Sequence, residues 1–327
     1  MSETDRTQKI VDAFKNYLQL AFSITTGTRI SFRKAKNEDI EEFDSIIREY
    51  VISLRKIEDI DSLRISEKRK AQKAYEILNK FGHIALPEIP EDQDYFEWNI
   101  EESEKKLRQP PESMSINKSN YFFYLKLIKN LMNKVFENFP NFSMEFFVGF
   151  LTDEDKLITT QSLISRLHKH YNYLEKKRKR ITKKHVEKLI QTFDDFAGQY
   201  EKYLNLIYGL VMILDKETEV RYPRIKTVPT HKKLEYLESK SRHALDFLPL
   251  VSSYNKTLRN AIAHKSYLYN PISKEIWFVG RRKKIPLSYL DFENEVKNLG
   301  TLVLALSKFS TIMIMLSARG FQVFIRR

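Results

Sequence analysis

Ser252–Val279 reads S-S-Y-N-K-T-L-R-N-A-I-A-H-K-S-Y-L-Y-N-P-I-S-K-E-I-W-F-V, and two periodicities meet in it. Leu248, Val251, Tyr254, Leu258, Ala261 and Ile262 recur every three or four residues. That spacing predicts an amphipathic helix with one stripe on a core. The pattern then switches to period two. Tyr267 and Tyr269 precede Asn270-Pro271, and Ile276 to Val279 follow it, which predicts a short β-hairpin. The helix closes on Arg259-Asn260-Ala261-Ile262-Ala263-His264. A helix that ends on Arg, Asn and His, with a hairpin directly behind it, organises the rest of the chain.

Outward from this stretch the pattern is helical. Only 8 of 327 residues are Gly, while Lys, Glu, Leu and Ile are abundant. The expected fold is mostly α, a helical bundle with one short hairpin. Amphipathic stripes predict helices near residues 5–22, 38–56, 66–82, 119–136 and 231–241. Leu163 to Phe196 reads as one or two helices continuing to Leu214, and a closing helix is expected from Leu287 or Asp291 to Ser317. Pro87 and Pro90 interrupt an acidic stretch around Tyr95, Phe96 and Trp98, read either as a surface loop pinned by its aromatics or as a cover for a basic groove. Gln109-Pro110-Pro111-Glu112-Ser113 is the linker candidate. The expected division is 1–112 as an N-terminal helical domain, 113–180 as a middle segment and 181–327 as the C-terminal domain.

The formal net charge is +13, which points to a polyanionic partner, nucleic acid before anionic membrane. Absence of cysteine excludes disulfides, thiol catalysis and Cys-based zinc or iron–sulfur sites. Met1 to Arg6 is polar and lacks a signal peptide's apolar core, and neither 204–214 nor 302–316 reaches the roughly 20 apolar residues of a span. The expectation is a cytoplasmic protein with no membrane partner.

The closing hexapeptide carries the chemistry. An imidazole can take a proton from a ribose 2′-OH or give one to a leaving 5′-oxygen. A guanidinium matches a phosphate and stabilises charge that develops on it. Together they suit metal-independent cleavage of RNA, whereas DNA lacks the 2′-OH. Arg180/His185 and Arg224/His231 have a similar spacing. The first pair starts in a lysine-rich run, and Pro223 and Pro229 argue against a helix at the second.

Arg259-Asn260-x-x-x-His264 resembles the R-x4-6-H motif of HEPN-domain ribonucleases, and the resemblance extends over the hairpin and the helix behind it, about the last third of the chain. It implies a HEPN-like C-terminal domain and a homodimer in which two motifs form one composite site. Arg259 and His264 would carry catalysis and Asn260 would orient the His or the phosphate. The implied activity is endonucleolytic cleavage of tRNA or mRNA, leaving 2′,3′-cyclic phosphate and 5′-OH ends. The implied role is that of a toxin or antiviral defence effector, with an antitoxin or regulatory partner. No cofactor or metal is expected. Five residues on a helix separate Arg259 and His264 by about 140°, so convergence calls for an unwound last turn or a second subunit.

The RNA contacts expected from charge are Lys265, the run Arg281, Arg282, Lys283 and Lys284, and the run Lys176, Lys177, Arg178, Lys179 and Arg180. The same cations also fit a second class of function, a non-catalytic basic helical module that binds nucleic acid or a protein.

Overall fold

The structure is a computed structural model. It describes residues 67–85, 89–109, 117–139, 161–176, 181–216, 220–280 and 284–309, with isolated positions between 52 and 60, at 146 and 150, and between 311 and 316. The helix expected at 5–22 and most of the one expected at 38–56 lie outside the described residues. The described residues are mostly helical and include one three-stranded antiparallel sheet. The chain divides into two compact units, 1–109 with 151–160 and 310–327, and 110–150 with 161–309.

In the first unit, α1 (Glu67–Ala85) packs on α2 (Tyr95–Arg108). Of the acidic stretch read as a loop, the half from Tyr95 onward is helix. Asp94 starts it by accepting from the Phe96 and Glu97 amides, which satisfies two of the donors a helix start leaves open. Its acids meet bases one turn on: Glu102 pairs with Lys105 and Lys106, and Glu104 with Arg108. Tyr95 and Phe96 are buried, and the Phe96 ring stacks on Tyr75 at 4.5 Å. Gly82 leaves the space that the Tyr95 ring fills, since a Cβ there would lie 2.1 Å from it.

The second unit is built around α5 (Lys183–Lys216), preceded by α3 (Lys118–Asn138) and α4 (Gln161–Glu175). At 34 residues α5 is about 50 Å long. Every residue from Tyr203 to Leu214 is buried, so this half of the helix is surrounded rather than amphipathic. Two short helices, α6 (Tyr222–Thr227) and α7 (Thr230–Glu235), pack against it, and α7 runs into a π-turn at Tyr236–Lys240. Pro223 begins α6, where its missing N–H costs nothing, so Arg224 is helical after all. Pro229 then separates α6 from α7, leaving Arg224 and His231 on different helices.

Next come α8 (Ala244–Ser252), α9 (Lys256–Ala263), β1 (Tyr267–Asn270), β2 (Glu275–Val279), β3 (Lys284–Ser288) and α10 (Tyr289–Leu306). The hairpin has the expected turn: Asn270 Oδ1 accepts from the Ile272 and Ser273 amides. A third strand was not expected. Leu287 belongs to it, and α10 starts two residues later, with Ser288 capping the Asp291 amide. Pro286 fits because β3 is an edge strand and needs no inward-facing donor there. The inner face of the sheet buries Ile276 and Phe278. Phe278 packs on Phe292 of α10 at 4.9 Å, and Phe292 on Phe193 of α5 at 5.8 Å.

Buried tyrosines set an alkaline limit on this unit. Burial pushes the Tyr121 hydroxyl up to about 12 and raises those of Tyr171, Tyr200 and Tyr203 as well. Unfolded tyrosines lose their protons near pH 10, while the folded ones keep theirs. Above pH 10 the unfolded state therefore binds fewer protons, and stability falls as pH rises. The share of tyrosinate absorbance at 295 nm that belongs to these buried rings is expected to appear together with loss of helical circular dichroism, beginning above pH 10. Titration of these tyrosines in a fold that stays intact would contradict their burial.

Candidate active site

The apolar stripe through Leu248–Ile262 does not make one helix. It is cut at Ser253–Asn255, where Asn255 turns out of helical geometry and its side chain accepts from the Thr257 and Leu258 amides. The Asn starts α9 anew as an N-cap. Leu258, Ala261 and Ile262 are its buried stripe, against α5 and β2.

The other end of α9 closes on His264. The Lys265 amide donates to Ile262 O at 3.0 Å and the Ser266 amide to Ala261 O at 2.7 Å. These two bonds define a Schellman cap with His264 as the last, half-helical residue. The position that usually holds Gly is Lys265, with φ of 53°. A side chain there costs roughly 1–2 kcal/mol of left-handed strain, and the extra freedom of an unfolded Gly would offset about half of that. Lys265→Gly is thus expected to stabilise the fold by about 0.5–1 kcal/mol, read as a higher denaturant midpoint; a lower midpoint would mean the Lys side chain has a structural partner. The chain then enters the sheet at once, since the Val279 amide donates to Ser266 O at 2.8 Å.

His264 and Asn260 are exposed, whereas Arg259 is half-buried and turned onto α5. Arg259 Nη1 donates to Asp194 Oδ1 at 2.6 Å and Nε to Glu201 Oε1 at 2.9 Å. Tyr254 also donates to Glu201 Oε1, at 2.6 Å, with its ring stacked on Tyr200 at 4.9 Å. Burial alone would disfavour the guanidinium charge. The Glu201 and Asp194 carboxylates outweigh it and raise the Arg259 pKa above its ordinary value. Burial, then the bond to Glu201, raises the Tyr254 pKa as well, which keeps the phenol a donor. No hydrogen bond joins Arg259 to His264. One short helix carries both side chains, Arg259 anchored at mid-helix and His264 exposed at the C-terminal cap, without bringing them together.

Of the expected RNA contacts, Lys265, Lys284 and Lys176 are exposed. Lys177, Arg178, Lys179, Arg180, Arg281, Arg282 and Lys283 lie outside the described residues. His170 is buried, with Nδ1 3.0 Å from Thr192 Oγ1 and Nε2 2.7 Å from Asp195 Oδ2. Its two nitrogens are thus engaged inside the bundle. Among the described residues no three His, Asp or Glu side chains gather as a metal site. Asp194, Glu201 and Tyr254 were missed from the sequence. The signal for the carboxylates was their seven-residue spacing, which puts both on one face of α5. Among the described residues no helix is long and apolar enough to cross a membrane. No family model, curated protein or solved structure significantly matches the chain.

Proposed function

We propose that the chain is a metal-independent endoribonuclease of HEPN type, acting as a homodimer on tRNA or mRNA. The observation that supports this most is the cap of α9. It holds an exposed imidazole at a fixed helix end, five residues from a guanidinium that is itself held in place. In the proposed reaction the ribose 2′-oxygen attacks the phosphorus and the bond to the 5′-oxygen breaks. His264 takes the 2′-OH proton and, as the imidazolium so formed, gives a proton to the leaving 5′-oxygen. Arg259 stabilises the phosphorane. The products are a 2′,3′-cyclic phosphate and a 5′-OH. A two-fold axis would bring two copies of the motif together, so that the His of one protomer works beside the Arg of the other. Defence against foreign nucleic acid, under control of an antitoxin or other partner, is the biological role that goes with this activity.

One observation favours a non-catalytic module that binds nucleic acid or protein. Two carboxylates already occupy Arg259, which offsets its charge towards a phosphate. Cleavage of total RNA and purified tRNA in EDTA separates the two readings. Wild type is expected to cut and to leave cyclic-phosphate ends. Mixing His264→Ala with Arg259→Ala protein is expected to restore cleavage through hybrid dimers. RNA binding without cleavage, equal in wild type and both variants, would leave the binding module.

A further inference from the structure

An antiparallel sheet with one buried face ordinarily turns polar residues to water on the other. Here the outer face does not follow that rule. Side chains directly opposite one another share a face, and the register places Leu268, Trp277 and Pro286 in one row across all three strands. Leu268 is 68% exposed and Trp277 36%. Val279, 40% exposed, lies in the next row, opposite Lys284. Ser266 O, bonded to the Val279 amide, carries that row back to Lys265 and the capped end of α9.

Trp277 is held for display. Its indole N–H donates to Glu275 Oε2 at 3.3 Å, two residues back on the same face of the same strand. That bond ties the indole to the neighbouring row on the same face. It also engages the one carboxylate on this face among the described residues.

We propose that this face is a base-stacking platform for single-stranded RNA, with Trp277 as the stacking ring and Lys265 and Lys284 as phosphate contacts. It deepens the ribonuclease reading and rests on it for the choice of RNA. Three observations select this occupant. An exposed apolar row on a solvated sheet face marks a contact surface. The cations beside it and the chain's net charge of +13 suit a polyanion. The adjoining Val279 row leads through Ser266 to Lys265, next to His264, so a strand stacked on Trp277 is led towards the proposed site of cleavage. Lys284 stands two residues along the strand from Trp277's row, about 6–7 Å, within reach of a phosphate beside a stacked base. The bases must be unpaired, because a duplex hides their faces in its own stack.

The chain has two tryptophans, Trp98 and Trp277. In full-length Trp98→Phe protein, Trp277 is therefore the only indole. The probe is a 2′-O-methyl oligonucleotide of about twelve residues, which lacks a free 2′-OH and cannot be cut. The expected result is a saturable change in Trp277 fluorescence, with binding at least about tenfold weaker for the same strand annealed to its complement. By anisotropy of a labelled strand, Trp277→Ala is expected to weaken binding roughly five- to a hundredfold, and Trp277→Phe to keep most of it. Lys284→Gln should flatten the salt dependence by about 0.7. Equal binding of duplex and single strand, an unchanged Trp277 signal, or full affinity in Trp277→Ala would overturn the platform. So would a Trp277 response to phosphatidylserine vesicles in place of the oligonucleotide, which would assign the face to lipid. Because the probe cannot be cut, stacking on Trp277 and cleavage at His264 stand or fall separately.

Discussion

His264→Ala is expected to lower RNA cleavage by roughly 10²–10⁴-fold and to leave the melting temperature where it is. The two halves of this result have separate causes. The imidazole is exposed and its ring bonds to no described residue, so its removal takes nothing from the core. What holds the helix end is backbone: the His264 amide on Asn260 O, Lys265 on Ile262 O and Ser266 on Ala261 O. Alanine keeps all three bonds. The proposed proton acceptor for the 2′-OH, by contrast, is lost with the ring. The measurement is single-turnover cleavage of tRNA in EDTA, with unfolding followed on the same preparation. Cleavage at the wild-type rate would remove His264 from the chemistry. A fall in melting temperature of several degrees would show that the ring has a structural task instead.

Arg259→Ala is expected to reduce both stability and cleavage. The guanidinium holds two carboxylates of α5, and its loss leaves Asp194 and Glu201 without the cation between them. Charged hydrogen bonds of this kind contribute about 1.5–3 kcal/mol each, but Asp194 is half exposed and its share is screened. A net cost of about 2 kcal/mol is expected, which lowers the melting temperature by about 3 °C for a chain of 327 residues. Arg259→Lys keeps one charge but loses the planar fork. It is expected to recover part of the stability and little of the cleavage, because a point charge cannot serve a carboxylate pair and a phosphorane in one geometry. Recovery of cleavage in step with stability would make Arg259 a purely structural residue.

The sequence was most legible where two periodicities meet. The helix end at His264 and the hairpin behind it follow from side-chain spacing alone, because both are local. The break at Ser253–Asn255 was hidden because the apolar stripe runs on in phase across it, and only the Asn255 cap marks it. Lys284–Ser288 was hidden by Pro286, which argues against a strand unless the strand is at an edge. The same preference for reading Pro as a breaker obscured α6, where Pro223 opens a helix. At the site, Arg259 was visible and its partners were not. They lie 65 and 58 residues upstream, and periodicity tells which face of a helix is buried, not which face of another helix it meets.

Asp194 and Glu201 stand two turns apart on α5, and Arg259 is bonded to both. One turn further in either direction, the corresponding positions are Gln191 and Gly198, or Gly198 and Asn205. None of these carries a charge. Sliding α9 along α5 by one turn, about 5.4 Å, would bring the guanidinium level with one of the two carboxylates and take it out of reach of the other. Arg259 therefore works as an indexing pin: it fixes the height of α9 on the bundle, and with it the height of His264 and the first strand of the sheet.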